Sequence, residues 1–283
     1  LVPGVDEPGV FRFFEASSIR KIEDKYVLIY SRFTEDGEFG LPTSNYTLAY
    51  AYADAPLGPY TYGGTIIDGR GRETDPLTGK TRHTANSGGN THGSIFCANG
   101  QWWVVYHRQT GGDEYSRQAM AAPIRVKVEK GKGGKVTISE GEYTSEGFAL
   151  EGLDPLKRTP AGLACYYVGP TPSSNSYPNF FYSGSYVRPT RYNPLSDNKP
   201  AALCPVVNNT AGSVVGYKYF NTNKFQKKTD YTLVVNLTPE GVDATVRVLL
   251  GDPVKGTELG RLTLNKHMAQ VPTDVRVPVG RIR

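Results

Sequence analysis

Phe13-Phe14-Glu15-Ala16-Ser17-Ser18-Ile19, a turn at Glu23-Asp24-Lys25, and the run Lys25-Tyr26-Val27-Leu28-Ile29-Tyr30-Ser31 set the reading of the fold. A polar, small-residue approach enters a hairpin that returns through β-branched and aromatic residues. The same unit recurs at Asn90-Thr91-His92-Gly93-Ser94-Ile95, which passes through Ala98-Asn99-Gly100 into Gln101-Trp102-Trp103-Val104-Val105-Tyr106-His107. One supersecondary unit repeated at this separation suggests propeller blades, whose innermost strands point polar residues at a central axis.

Working outward, alternating or β-rich runs continue at Tyr46–Tyr52, Ile124–Val128, Val136–Ser139, Ser213–Phe220, Tyr231–Asn236, Ala244–Leu250 and Glu258–Leu264. Sustained helical periodicity is missing, and turn signals such as Asp36-Gly37, Pro239-Glu240-Gly241 and Gly251-Asp252-Pro253 separate the runs. The pattern breaks near Glu146–Pro160, and Thr171–Pro200 reads as long loops rich in Pro, Ser, Asn and Tyr. The expected fold class is therefore all-β: a partial β-propeller over residues 1–150, followed by a β-sandwich over residues 151–283.

Composition narrows the function classes. The 32 basic and 27 acidic residues are dispersed, which describes a solvated surface and no nucleic-acid footprint. The densest basic stretch, Lys127 to Lys135, is interrupted by Glu129 and glycines and reads as a charged hairpin edge. No apolar run is long enough to span a bilayer as a helix. The chain opens on Leu-Val-Pro-Gly and closes on Val-Gly-Arg-Ile-Arg, so it is expected to be cut from a longer polypeptide. Cys97, Cys165 and Cys204 lack the spacing of a zinc site. Cys165 and Cys204 are able to pair, with a buried free thiol as the alternative.

The stretches around Glu15, Tyr26–Ser31, Tyr46-Thr47-Leu48-Ala49-Tyr50-Ala51, Ala55–Tyr60, Gly89–Ile95 and Trp102–Arg108, spanning roughly residues 5–125, together resemble the acid-bearing blade of family 43 glycoside hydrolases. The resemblance implies later blades of a five-bladed propeller and inverting hydrolysis. It also implies β-xylosidase or α-L-arabinofuranosidase activity on plant polysaccharides or oligosaccharides. Glu15 takes the place of the general acid. Phe13 and Phe14 would partly desolvate its carboxyl, and Ala16-Ser17-Ser18 leave room for a sugar ring. The competing reading is a surface glutamate paired with Arg20 or Lys21. Inversion needs a second carboxylate across the sugar. The family carries that base on earlier blades, so this chain alone is expected to be inactive.

His92 is implied to lie near the axis, touching sugar or meeting a structural Ca²⁺ through water. No other cofactor is expected. Direct coordination would be unusual, because Ca²⁺ prefers oxygen donors. Arg108 is a candidate for binding sugar hydroxyls or a catalytic carboxylate, with a salt bridge to Asp113 or Glu114 as the alternative. Trp102 is a candidate stacking platform, although one of Trp102 and Trp103 must face the core.

Ala211–Phe220, Tyr231–Leu237, Ala244–Leu250 and Leu259–Leu262 resemble a family 6 type carbohydrate-binding module, in which Tyr217 and Tyr219 are either packing or ligand contacts. The family implies a secreted or periplasmic protein, with no nucleic-acid or membrane partner. A non-catalytic sugar-binding propeller is the alternative, and a retaining, fructan-cleaving type of propeller a weaker one.

Overall fold

A computed structural model describes residues 2–4, 9–85, 91–109, 117–169, 186–187 and 204–282. Thr171–Pro200, apart from residues 186–187, lies outside them, as do Gly88-Gly89-Asn90, Asp113 and Glu114. Among the described residues the regular structure is strand and short 3₁₀ turns, with no α-helix. The protein is all-β.

Strands β1 (Phe13–Ile22), β2 (Lys25–Arg32), β3 (Thr47–Ala53) and β4 (Thr61–Asp68) form an antiparallel meander in that order. After the hairpin β5 (Arg72–Thr74) and β6 (Thr81–His83) comes a second meander of β7 (Gly93–Ala98), β8 (Gln101–Gln109) and β9 (Arg117–Ile124). Two-residue loops join Ile22 to Lys25 and Ala98 to Gln101. Asn99 and Gly100 have φ of 50° and 77°, the backbone that a hairpin matching strand twist requires.

The core lies between the two meanders. Val27, Ile29, Leu48, Tyr50, Ile66 and Ile67 of the first meet Ile95, Val104, Tyr106, Ala122 and Ile124 of the second. Each fully buried aliphatic side chain there contributes about 1.5–3 kcal/mol. The small hairpin β10 (Val126–Val128) and β11 (Val136–Ile138) joins the same core. It is tied to β3 because Ile138 N–H donates to the Tyr50 hydroxyl at 3.0 Å. The opposite face of the first meander is covered too, by Tyr30, Ala49 and Ala51 with Phe11, Phe13, Leu28, Tyr60 and Tyr62.

Strand β4 has a sequence that hides it. A Cβ on Gly63 would fall 2.1 Å from the Tyr50 ring, so the close approach of that ring demands glycine where a strand normally carries bulk. Strand β9 is disguised by its alanines and Pro123, which the outer position in its sheet tolerates.

The chain divides into two compact units. The unit holding Glu15 comprises Leu1–Thr74, Lys80–Leu153 and Thr159–Tyr219. This differs from the boundary at residue 150 expected from sequence, because β12 (Tyr166–Val168) pairs with β15 (Val214–Gly216), and β13 (Tyr186–Val187) with β14 (Val206–Val207), all inside this unit. Tyr217 and Tyr219 belong to it as well. The Tyr217 hydroxyl donates to Ala161 O, and the Tyr219 hydroxyl to Glu142. Cys165 is a buried free thiol.

The second unit comprises Asp75–Gly79, Asp154–Arg158 and Phe220–Arg283. In it β16 (Tyr231–Leu237) pairs with β19 (Thr273–Gly280), and β17 (Ala244–Leu250) with β18 (Thr257–Leu264). Leu262 and Val277 are buried apolar side chains in it.

Candidate active site

The first strands of the two meanders run close together. Ser18 Oγ donates to Ser94 Oγ at 2.8 Å, and Arg20 Nε to Ile95 O at 3.3 Å, linking β1 to β7. Glu15 sits where β1 departs from regular pairing. It opposes Ser31, but the register slips on both sides of it, between Phe13 and Glu15 and again between Glu15 and Ser18. Ala16 takes φ of 55°, a left-handed backbone that alanine adopts at a cost. Such a bulge re-aims one side chain out of the pleat.

Glu15 Oε1 lies 2.9 Å from His92 Nε2. The bond is either an Nε2–H donating to the carboxylate or a protonated carboxyl donating to Nε2. The two side chains are 39% and 35% exposed, open enough for a ligand to reach. Arg20 and Lys21 are engaged elsewhere: Arg20 with Ile95 O and Ile19 O, and Lys21 over the Tyr26 ring. Phe13 packs on Tyr30 and Phe14 on Phe33, with ring centroids 5.4 and 4.8 Å apart. The aromatic neighbours thus brace the sheet, and they leave the carboxyl partly in water.

His92 is seated by the glycine next to it. A Cβ on Gly93 would lie 2.4 Å from Val105 O and 2.6 Å from Leu48 Cδ1, so only glycine lets β7 press against β8 there. Beside His92 is an open depression of about 430 Å³ lined by Ser94, His107, Arg117 and Gln118 among others. The His92 backbone N–H donates to His107 Nε2 at 3.0 Å, and the two rings meet edge to face at 5.0 Å. Burial first, then the Arg117 guanidinium and His92, push the His107 imidazole down to about 4, so it is neutral at pH 7.

The structure separates the remaining candidates from this pair. Arg108 is 2% exposed and points into the core. Its guanidinium donates to Gln118 Oε1 (3.0 and 2.7 Å), Gly162 O (2.6 Å), Ala164 O and the hydroxyls of Tyr143 and Tyr167. Strand alternation puts it on the face of Trp102, Val104 and Tyr106 as expected, but that face is the core, so Arg108 corrects from a sugar ligand to a structural brace. Trp102 is half-buried against the same core, and Trp103 packs on Phe148 with centroids 5.1 Å apart. Neither indole joins Glu15 and His92.

Calcium finds little in the described residues. No group of three or more His, Cys, Asp or Glu among them is placed to hold a metal. The depression offers imidazole, guanidinium, amide and hydroxyl groups, a set poor in anionic oxygen.

Sequence reasoning passed over His107 as a site residue, yet the signal was there. Counting outward from the Asn99-Gly100 turn, residue by residue, brings His107 opposite His92, one step beyond the Gly93–Tyr106 pair.

No protein-family model matches the chain. It is similar to a xylosidase/arabinosidase of Thermoclostridium stercorarium, with 30% identity over 210 residues, covering 74% of this chain and 40% of that protein. An arabinoxylan arabinofuranohydrolase of Paenibacillus polymyxa is 28% identical over 171 residues, covering 59% of this chain and 24% of that protein. The chain thus spans less than half the length of these curated relatives. Among solved structures, a family 43 arabinoxylan arabinofuranohydrolase from Bacillus subtilis superposes with a TM-score of 0.43 and 19% identity, covering 94% of this chain and 48% of that one. That superposition is too loose to add to the sequence relationship. The relatives support the family 43 resemblance read from the Glu15 and His92 stretches.

Proposed function

We propose that this chain supplies the general acid of a family 43 glycoside hydrolase acting on xylan- or arabinan-type polysaccharides or oligosaccharides. The observation that carries the reading is the Glu15–His92 hydrogen bond, half-exposed where the first strands of two meanders meet. A carboxyl in that bond has a partner through which a proton is held or exchanged while the glycosidic oxygen departs. The face-to-face packing of the two meanders, with polar first strands adjoining, supports propeller blades, and the number five is what the family 43 resemblance implies.

In this reading the base lies outside the chain. Several of the described carboxylates have other work: Asp24 and Asp54 hold the loop at Gly131 and Gly133, Glu38 holds Arg32, Asp68 holds Arg70 and Arg72, and Glu73 and Glu142 hold Lys218. Inversion needs two carboxyl groups roughly 6.5–9.5 Å apart, with water between. The hairpins of the second unit support a β-sandwich module that binds sugar or braces the propeller, and an exported setting follows from the polysaccharide substrate. The engaged carboxylates are equally compatible with a non-catalytic sugar binder.

The test is release of nitrophenol from β-xyloside and α-L-arabinofuranoside substrates. The 283-residue chain and a form extended N-terminally to the relatives' length are compared, each with and without Glu15→Gln. Glu15-dependent turnover in the extended form alone is expected. Sugar binding without turnover in either form selects the binder, and turnover by the chain alone overturns the placing of the base.

A further inference from the structure

We infer that His107 is a positioning residue: by accepting the His92 backbone N–H at Nε2 it sets where His92 meets Glu15. The inference gains its catalytic meaning from the reading of Glu15 as the acid, but its geometry stands apart from it. In a regular antiparallel ladder an amide facing a carbonyl bonds that carbonyl. Here Thr91 Oγ1 donates to His107 O at 2.8 Å, His107 N–H donates to His92 O at 3.2 Å, and the His92 amide turns instead to the imidazole at 3.0 Å. A side chain has taken over a backbone bond at the point where β7 begins, one residue before the ladder and at the residue that touches Glu15.

The bond also fixes the tautomer. Nε2 receives a proton, so it carries the lone pair and Nδ1 carries the hydrogen. Nδ1 is buried and has no hydrogen-bond partner among the described residues. A ring placed only to fill space would gain by turning this N–H toward a partner. Its retention in this pose marks Nε2 as the atom that matters.

The test compares His107→Gln, whose amide oxygen reaches the Nε2 position, with His107→Leu, which keeps volume and removes the acceptor. Two readouts apply: hydrogen exchange of the His92 amide, and the change in the His92 ring ¹⁵N shifts on adding Glu15→Gln. In His107→Leu the amide is expected to exchange about tenfold faster, the size of one hydrogen bond, and the ring should no longer respond to Glu15→Gln. His107→Gln should keep both responses. Equal behaviour of the wild type and both variants, or loss in both variants, overturns the inference. Should His107→Leu fail to fold, His107→Asn takes its place, since its shorter amide stops at the Nδ1 position. Neither readout needs hydrolysis, so a chain that shows both responses while its N-terminally extended form cleaves no glycoside keeps this inference and loses the catalytic reading.

Discussion

His107 and Arg108 are neighbours on one strand, yet they serve regions built on opposite principles. The imidazole joins a half-exposed cluster in which Glu15, His92 and His107 are linked by single bonds, and Ala16 is held in a left-handed backbone beside them. The guanidinium enters a closed cage in which two carbonyls, three side-chain partners and several bonds surround one buried charge. Desolvating a cation is costly, so the cage must satisfy every donor. The open cluster is under no such demand and keeps acceptor and donor capacity for a ligand. Polar groups inside a sheet protein therefore mark function less by being buried than by being incompletely engaged.

Two substitutions separate the regions most strongly. Glu15→Gln should lower turnover of a hydrolytically competent protein containing this chain by about 10²–10⁴-fold while leaving sugar affinity and melting temperature close to wild type. Arg108→Met should do the reverse. It removes both donors to Gln118 Oε1 and leaves Gly162 O and Ala164 O with one side-chain donor each, Gln118 Nε2 and the Tyr167 hydroxyl, so the expected loss is about 3 kcal/mol in urea denaturation, with an unchanged KM in whatever fraction stays folded. A raised KM with undiminished stability in Arg108→Met would return that residue to the site and dissolve the contrast.

Sequence patterning carried the all-β class, because hairpin turns and period-2 alternation are local signals, whereas the placing of Glu15 and His92 near one axis was implied by the family 43 resemblance. Alternation also grouped Arg108 with Trp102, Val104 and Tyr106 correctly. What alternation does not carry is which face is the core, since that depends on Ile29, Leu48 and Ile66 arriving from another sheet. Strand β4 was hidden for the same reason, its Gly63 being dictated by a Tyr50 ring from the neighbouring strand. The reassignment of Thr159–Tyr219 follows from a pairing between Tyr166–Val168 and Val214–Gly216, separated by a loop-like stretch that gave no register signal.

Acid sharpens the comparison further. The folded-state His107 value of about 4 lies below the ordinary 6.5, so between these values the unfolded chain binds the extra proton. Its contribution to stability is complete above pH 6.5 and is lost as pH falls towards 4. His107→Gln should flatten this part of the curve, measured as the difference in urea midpoint from wild type at pH 7, 5.5 and 4.5. The groups facing the ring are Arg117 and His92, and the cationic Arg117 deepens the loss. An identical pH slope in both proteins would mean that His107 is not held neutral by the fold.

The smallest effect belongs to the second unit, where the partly exposed Glu258 accepts from Arg261 and Arg247 at the surface. These guanidiniums, Arg261 first, pull its carboxyl down to about 2. A depressed acid stabilises above its ordinary value of 4.5 and loses that contribution as pH falls towards 2, a window that begins close to where that of His107 ends. Exposure and salt screening keep the contribution slight. Glu258→Gln should therefore leave the melting temperature at pH 7 within about 2 °C of wild type, and 1 M salt should erase what difference there is. A larger, salt-resistant shift would show that ion pairs on this unit's surface carry weight comparable to the Arg108 cage, against the distinction drawn between open and enclosed charge.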